Sequence, residues 1–214
     1  MNIFSKKTGV ILGLALFASL TSEAKAVVIN LQHTVAGTVI NNGTTDPVNI
    51  TMFEFAGDEG RGIIEFNILS QVSPVTSAIL QLFGSNGVAA VPATNINVFG
   101  FTGDANPIAA GDFSLGDGNQ VASFPYDDDP NAIFNIDVTA FVNGRIGTDD
   151  FIGFNLRVGE LGTFADFTGS VGGATIGPRL ILTTDDEERI PEPSVLALFG
   201  AGLVVLGVAR RRRR

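Results

Sequence analysis

Ile152-Gly153-Phe154-Asn155-Leu156-Arg157-Val158 alternates apolar and small or polar residues for seven positions. A period of two places successive side chains on opposite faces of an extended backbone, so this stretch reads as a β-strand with one face turned inward. The same period recurs outward along the chain. Ile64, Phe66 and Ile68 alternate with Glu65 and Asn67, and Phe134, Ile136 and Val138 alternate with Asn135 and Asp137. Further strands are expected at 34–40, 48–55, 77–83, 95–102, 120–124, 164–168 and 179–183. Asn41-Asn42-Gly43, Gly84-Ser85-Asn86-Gly87, Gly116-Asp117-Gly118-Asn119 and Gly172-Gly173 punctuate them with residues that tolerate tight turns. Only Val138 to Asn143 offers a helical turn, because no longer window holds a 3.6 period. Many short strands joined by such turns predict an all-β fold for residues 27–184: a two-sheet antiparallel β-sandwich of jelly-roll type.

The chain has 214 residues, enough for one domain with appendages. Its basic residues lie mostly at the two ends. Residues 27–190 hold 5 Arg, no Lys and 20 acidic residues, a net charge of −15. Nucleic-acid affinity comes mainly from Lys and Arg neutralising phosphates, so no nucleic-acid partner is expected. With no Cys and one His, the chain excludes disulfides, thiolate zinc sites and multi-His metal centres.

Lys6 and Lys7 precede an apolar run from Gly9 to Leu20, and a polar stretch ends in Ala24-Lys25-Ala26. That order is a secretory signal over residues 1–26, with Ala24 and Ala26 as the small residues signal peptidase requires. The Sec translocon and signal peptidase are the expected partners, and the mature chain should begin at Val27. At the other end an acidic linker, 185–190, leads to Pro191-Glu192-Pro193, and a stretch without one charge, Val195 to Ala209, follows. The last residues are Arg210, Arg211, Arg212, Arg213 and Arg214. As a helix, 194–209 measures about 24 Å, short of a roughly 30 Å hydrocarbon core by an amount that snorkelling arginines absorb. The arginines hold their end in the cytoplasm, so residues 27–184 face outward. The prolines keep the tripeptide extended and accessible.

This three-part tail, residues 191–214, resembles the PEP-CTERM sorting signal. The resemblance implies recognition by exosortase, a membrane enzyme of Gram-negative bacteria that usually make extracellular polysaccharide. It also implies export across the inner membrane, transient anchoring there, cleavage near the tripeptide, and a final place at the cell surface or outside the cell.

A second resemblance covers residues 61–184. Arg61-Gly62-Ile63-Ile64-Glu65-Phe66, Val75 to Leu82, Asp137-Val138-Thr139, Gly153-Phe154-Asn155-Leu156 and Gly177-Pro178-Arg179-Leu180 look like the DNRLRE-type jelly rolls, which are similar to carbohydrate-binding modules. That family often carries a Trp after the Asp-Val-Thr segment, and this chain has none. Sugar binding would therefore rest on Phe rings, on Tyr126, or on polar, calcium-assisted contacts.

Catalysis finds few candidates. His33, the lone imidazole, is expected to be an exposed strand residue rather than the base of a triad. Two suitably spaced carboxylates would suffice for a glycosidase, but the Glu-x-Asp-x-x-Glu spacing of jelly-roll glycosidases does not occur. Hard oxygens at loop spacing in Asp127-Asp128-Asp129, in the Asp112 to Asn119 loop with Asp117, and in Asp104 with Asn106 suit a structural calcium ion; the same residues also suit solvated turns. No other cofactor is expected. The sequence points to a non-catalytic sandwich with a structural or adhesive role beside exopolysaccharide. A carbohydrate-binding module is the alternative, and a polysaccharide hydrolase a more distant one.

Overall fold

The computed structural model describes residues 25–71, 73–85, 91–93, 95–130, 132–169 and 177–186. The described residues form twelve strands: β1 Lys25–Ile40, β2 Thr45–Asp46, β3 Ile50–Phe55, β4 Asp58–Asn67, β5 Ser77–Phe83, β6 Val91–Pro92, β7 Asn95–Thr102, β8 Gln120–Pro125, β9 Ile133–Asp137, β10 Phe151–Val158, β11 Thr163–Phe167 and β12 Arg179–Asp186. A 3₁₀ turn at Ala110–Ser114 and one helical turn, α1, Thr139–Asn143, interrupt them. Val27–Thr184 cluster as one compact unit.

The architecture is an antiparallel β-sandwich whose two sheets are continuous. One layer runs β9-β5-β12-β1, and the other carries β1-β4-β10-β7-β8 with β3, β11 and β6 extending from β4. β1 belongs to both. Its second half pairs with β4 from Val35↔Glu65 to Ile40↔Gly60, and the register shifts between His33 and Val35. A bulge there bends the strand and lets one chain segment turn the corner between layers. A single bridge, Gly84↔Phe167, links β5 to β11 and nearly closes the sheet on itself. The sandwich expected from the alternation is therefore present, as one folded sheet. One short pair departs from the antiparallel rule, β6 running parallel to β11.

The layers meet through the apolar residues that the period of two selects. Ile64 and Phe66 of β4, Ile152, Phe154 and Leu156 of β10, Leu80 and Leu82 of β5, Ile136 of β9, and Leu180 and Leu182 of β12 share one buried cluster. Phe154 touches the rings of Phe66 and Phe141 at 6.2 and 5.5 Å between centroids. Each such side chain contributes roughly 1.5–3 kcal/mol by leaving water.

Three elements differ from the sequence reading. First, β1 starts nine residues before Thr34, at Lys25. Ile29 and Leu31 pack against the core, but Val28, Asn30 and Gln32 keep its other face in solvent. Second, β4 is buried on both faces, Arg61 and Glu65 included. Alternation could not reveal this, because the cover over its outer face comes from a distant loop. Third, His33 is half-buried, and its Nδ1–H donates to the Pro178 carbonyl at 3.1 Å. A side chain on Gly177 would begin 2.7 Å from the His33 ring, so only glycine allows this approach. The long-range contact overrides the exposure expected of a lone polar strand residue.

The first and last strands are neighbours. β4 takes one edge of β1 at Thr38 and Val39, so β2, paired to the same two residues, holds the other. β12 starts at Arg179, next to Pro178, whose carbonyl accepts from His33.

Candidate functional site

The outer face of β4 and β10 carries the densest set of charged side chains. Odd-numbered residues there, Glu59, Arg61, Glu65, Asn155 and Arg157, point away from the core because the even ones fill it. The 103–119 connection lies over them, and its Ile108, Phe113 and Leu115 pack on Val39, Ile63 and Phe101 in a second apolar cluster. Burial of charge under an apolar cover demands partners.

Each end of the cover is held by one group. At its start, Glu65 Oε2 accepts the backbone N–H groups of Asp104 at 3.1 Å and Ala105 at 2.8 Å. Ala105 sits at φ +58°, a left-handed conformation that alanine rarely adopts. Burial pushes the Glu65 carboxyl above the usual glutamate range; the two N–H donors oppose this, and the charges of Asp104 and Asp112 add to it. At the far end, Asp117 Oδ1 lies 2.5 Å from Arg157 Nη2 and 3.2 Å from Arg61 Nη1. Arg61 also donates to Glu59 at 2.5 Å and to the Phe113 carbonyl at 2.6 Å, and stacks on the Phe113 ring. Arg157 stacks over Phe99 and donates to Asn155 Oδ1, while Asn155 Nδ2 donates to the Leu115 carbonyl at 2.9 Å. Burial raises the Asp117 carboxyl, but the hydrogen bond and charge of Arg157, then those of Arg61, outweigh it and hold it below the usual range. This network locks a loop in place. Its donors and acceptors are directed at one another.

A second cluster is aromatic. Tyr126 stacks on Phe134 at 5.7 Å and 10° and meets Phe167 edge-on at 5.6 Å. Its hydroxyl accepts the Asp166 N–H at 3.2 Å and lies 3.4 Å from Asp128 Oδ1. Burial pushes the phenol above its ordinary value. Asp166 in turn accepts from Thr51 and Ser85 at 3.0 and 2.7 Å.

The structure disperses the calcium candidates. Asp112 accepts the Ala109 N–H, Asp104 accepts from the backbone and side chain of Asn106, and Asp117 faces two guanidiniums. Asp127, Asp128 and Asp129 are exposed beside Tyr126. Among the described residues no three acidic or His side chains are grouped to hold a metal ion. The Arg61–Asp117–Arg157 arrangement was not legible from spacing, since 40 residues or more separate its members; isolated Arg in an acidic domain without Lys was the one available signal.

Of the processing residues, Ala26 is exposed within β1. Ala24, Pro191, Glu192, Pro193 and Arg210 to Arg214 lie outside the described residues, as does the apolar segment 194–209. Among the described residues no helix is long and apolar enough to cross a membrane. Residues 189–214 match the PEP-CTERM protein-sorting motif. The PEP-CTERM tail makes the chain an exported protein sorted by exosortase, passing through a membrane-anchored stage in a Gram-negative bacterium. No curated protein matches the chain.

Proposed function

We propose that the exported domain is a non-catalytic β-sandwich with a structural or adhesive role in an extracellular, polysaccharide-rich matrix. The PEP-CTERM tail at 189–214 carries this reading, because it marks the domain for export across the inner membrane. The covered face supports it: Arg61, Arg157, Asp117 and Glu65 bind loop backbone and one another, an arrangement suited to stiffness. The leader engages the Sec translocon and is removed by signal peptidase after Ala26. Exosortase then acts near Pro191-Glu192-Pro193, and exopolysaccharide is the expected neighbour at the cell surface.

Replacing Pro191, Glu192 and Pro193 with alanine, or deleting the host exosortase, tests the sorting step. Precursor should accumulate in the inner membrane in both strains; unchanged localisation and mass would remove the reading. The exported protein, screened on a glycan array and against soluble polysaccharides, tests the rest. Turnover of any polysaccharide would replace the structural role with an enzymatic one. A carbohydrate-binding module is the second reading, favoured by the aromatic cluster around Tyr126 and Phe134; saturable binding to a defined glycan, lost in Tyr126→Ala, would promote it.

A further inference from the structure

Among the described residues β2, β6, β8 and β9 have a strand partner along one edge only. A strand edge without a partner presents a row of backbone N–H and C=O groups, and folded proteins blunt such rows with short length, bulges, prolines or charge. β2 and β6 are two residues long. β8 ends in Pro125, and its register against β7 shifts at Val98 and Phe99. β9 is left open. It pairs with β5 without a shift from Phe83↔Ile133 to Ile79↔Asp137, holds no proline, and carries its one charge on its last residue, Asp137. Ile133 is 56% exposed, and Asn135 and Asp137 are exposed too.

The flanking hydrogen bonds fix which groups of β9 point outward. Gly84 N–H donates to the Ala132 carbonyl and Val138 N–H to the Ala78 carbonyl, each at 2.9 Å, and both pairs continue the β5–β9 register. In an antiparallel ladder the hydrogen-bonded pairs recur at every second residue. Ala132, Phe134, Ile136 and Val138 therefore bond to β5, and Ile133, Asn135 and Asp137 turn their N–H and C=O groups to the open edge. The same alternation sends the side chains of Phe134 and Ile136 to the core, while Asn135 accepts from Gln81 on the outer face.

We propose that β9 pairs with β9 of a second copy of this chain, antiparallel about Asn135, and so joins two sandwiches through one continuous sheet. The strand is complementary to itself in that register. Asn135 opposes Asn135 of the second copy and Ile133 opposes its Asp137, so every edge-facing backbone group of both strands finds a partner. Phe134 then lies across from Ile136 on the core side, whereas a slip of one residue would set outer-face side chains against core ones. The two Asp137 carboxylates are held apart, each beside an isoleucine. From Ile133 to Ile136 the edge is uncharged, so it offers a charged partner nothing to answer, and self-complementarity selects the second copy. An isologous contact of this kind closes as a dimer. Both domains are acidic, so their repulsion weakens the contact at low salt and screening strengthens it. The pairing uses only the folded domain, and it stands apart from the sorting reading.

The chain lacks cysteine, so one introduced thiol reports one position. Full-length chain carrying Asn135→Cys, Ile133→Cys or Leu161→Cys is produced in its host, and cells and medium are oxidised together, so that a failure of sorting leaves the result legible. Opposed residues of a hydrogen-bonded antiparallel pair have Cα atoms about 5.5 Å apart, within disulfide reach, whereas the two Ile133 positions lie about 14 Å apart. Disulfide-linked dimer should be about fivefold more abundant for Asn135→Cys than for either other variant. Equal yields from the three, or a linked product of another mass, would overturn the self-pairing. In the purified protein, Asn135→Lys and Asn135→Asp should each weaken dimerisation about tenfold by sedimentation velocity, and an equimolar mixture of the two should restore it, because opposite charges then face each other. A mixture no better than either variant, or parent protein that stays monomeric up to about 1 mM, would also overturn it. The substituted residues are all exposed, so none of these changes disturbs the core.

Discussion

Arg157 of β10 reaches Asp117 at 2.5 Å across 40 residues of chain, and this ion pair fastens the 103–119 cover to the sheet. The same carboxylate oxygen also faces Arg61. Removing it leaves two nearly buried guanidiniums facing one another.

Asp117→Ala should therefore destabilise the domain by about 1–2 kcal/mol, because the carboxylate is 55% exposed and water screens part of its attraction. Urea unfolding at low and at high salt checks this: the loss should shrink with salt. A variant as stable as the parent at low salt would show that the cover is held by its apolar residues alone.

The pH dependence should have two parts of opposite sign. Asp46, Asp104, Asp117 and Asp137 titrate below the ordinary carboxylate value in the folded state. For Asp104 and Asp137 the cause is chiefly hydrogen bonds from Asn106 and Thr139; for Asp46, burial raises the value but Asn49 and the Val48 N–H outweigh it. Their stabilisation is complete above the unfolded value, about 3.9, and is lost as pH falls through the folded values. Glu65 titrates above its ordinary value because it is buried. Its protonation on acidification favours the fold, and the penalty returns as pH rises through its folded value. Melting temperature should rise slightly from neutral pH to the glutamate range and then fall. Glu65→Gln keeps an acceptor for Asp104 and Ala105, so it should hold or raise stability at pH 7 and erase that rise.

Phe154→Ala should cost about 3–5 kcal/mol, since the ring is fully buried between Phe66 and Phe141 and its loss leaves a cavity. Leu161→Ala, at a solvent-facing turn, should stay within about 0.5 kcal/mol. Denaturant midpoints of the two variants, measured side by side, provide the comparison.

Calcium should leave the melting temperature unchanged. Asp117 already answers two arginines, and Asp104 and Asp112 accept hydrogen bonds from their own turns. A site filled at one hundred times its dissociation constant would add about 2.7 kcal/mol. A chelator-reversible rise at millimolar calcium would place an ion in the loops.

The period of two made β5, β7, β9 and β10 legible within a residue or two, because their core-facing residues are all apolar and their partners mostly polar. β11 was found one residue late, and α1 was found where Val138 to Asn143 broke the alternation. The start of β1 was not legible. Val27-Val28-Ile29 has no alternation, and its partner β12 lies some 150 residues away. The 3₁₀ turn and the cover around it were read as turn and solvent, since local composition does not report what a loop lies upon.

Sequence alone determined the fold class and the export route. Both are written in local order: alternation specifies a strand without reference to its partner, and the PEP-CTERM tail is a contiguous run of residues 189–214. Tertiary structure alone decided what the charged residues do. Glu65, Arg61 and Arg157 occupy positions that alternation assigns to solvent, and a loop whose contacting residues lie 40 to 52 positions away covers them and supplies their partners. It also decided that β1 and β12, the first and last strands, lie side by side in the sheet. Such pairings arise from how distant segments close on a shared core, and no local pattern of residues encodes them.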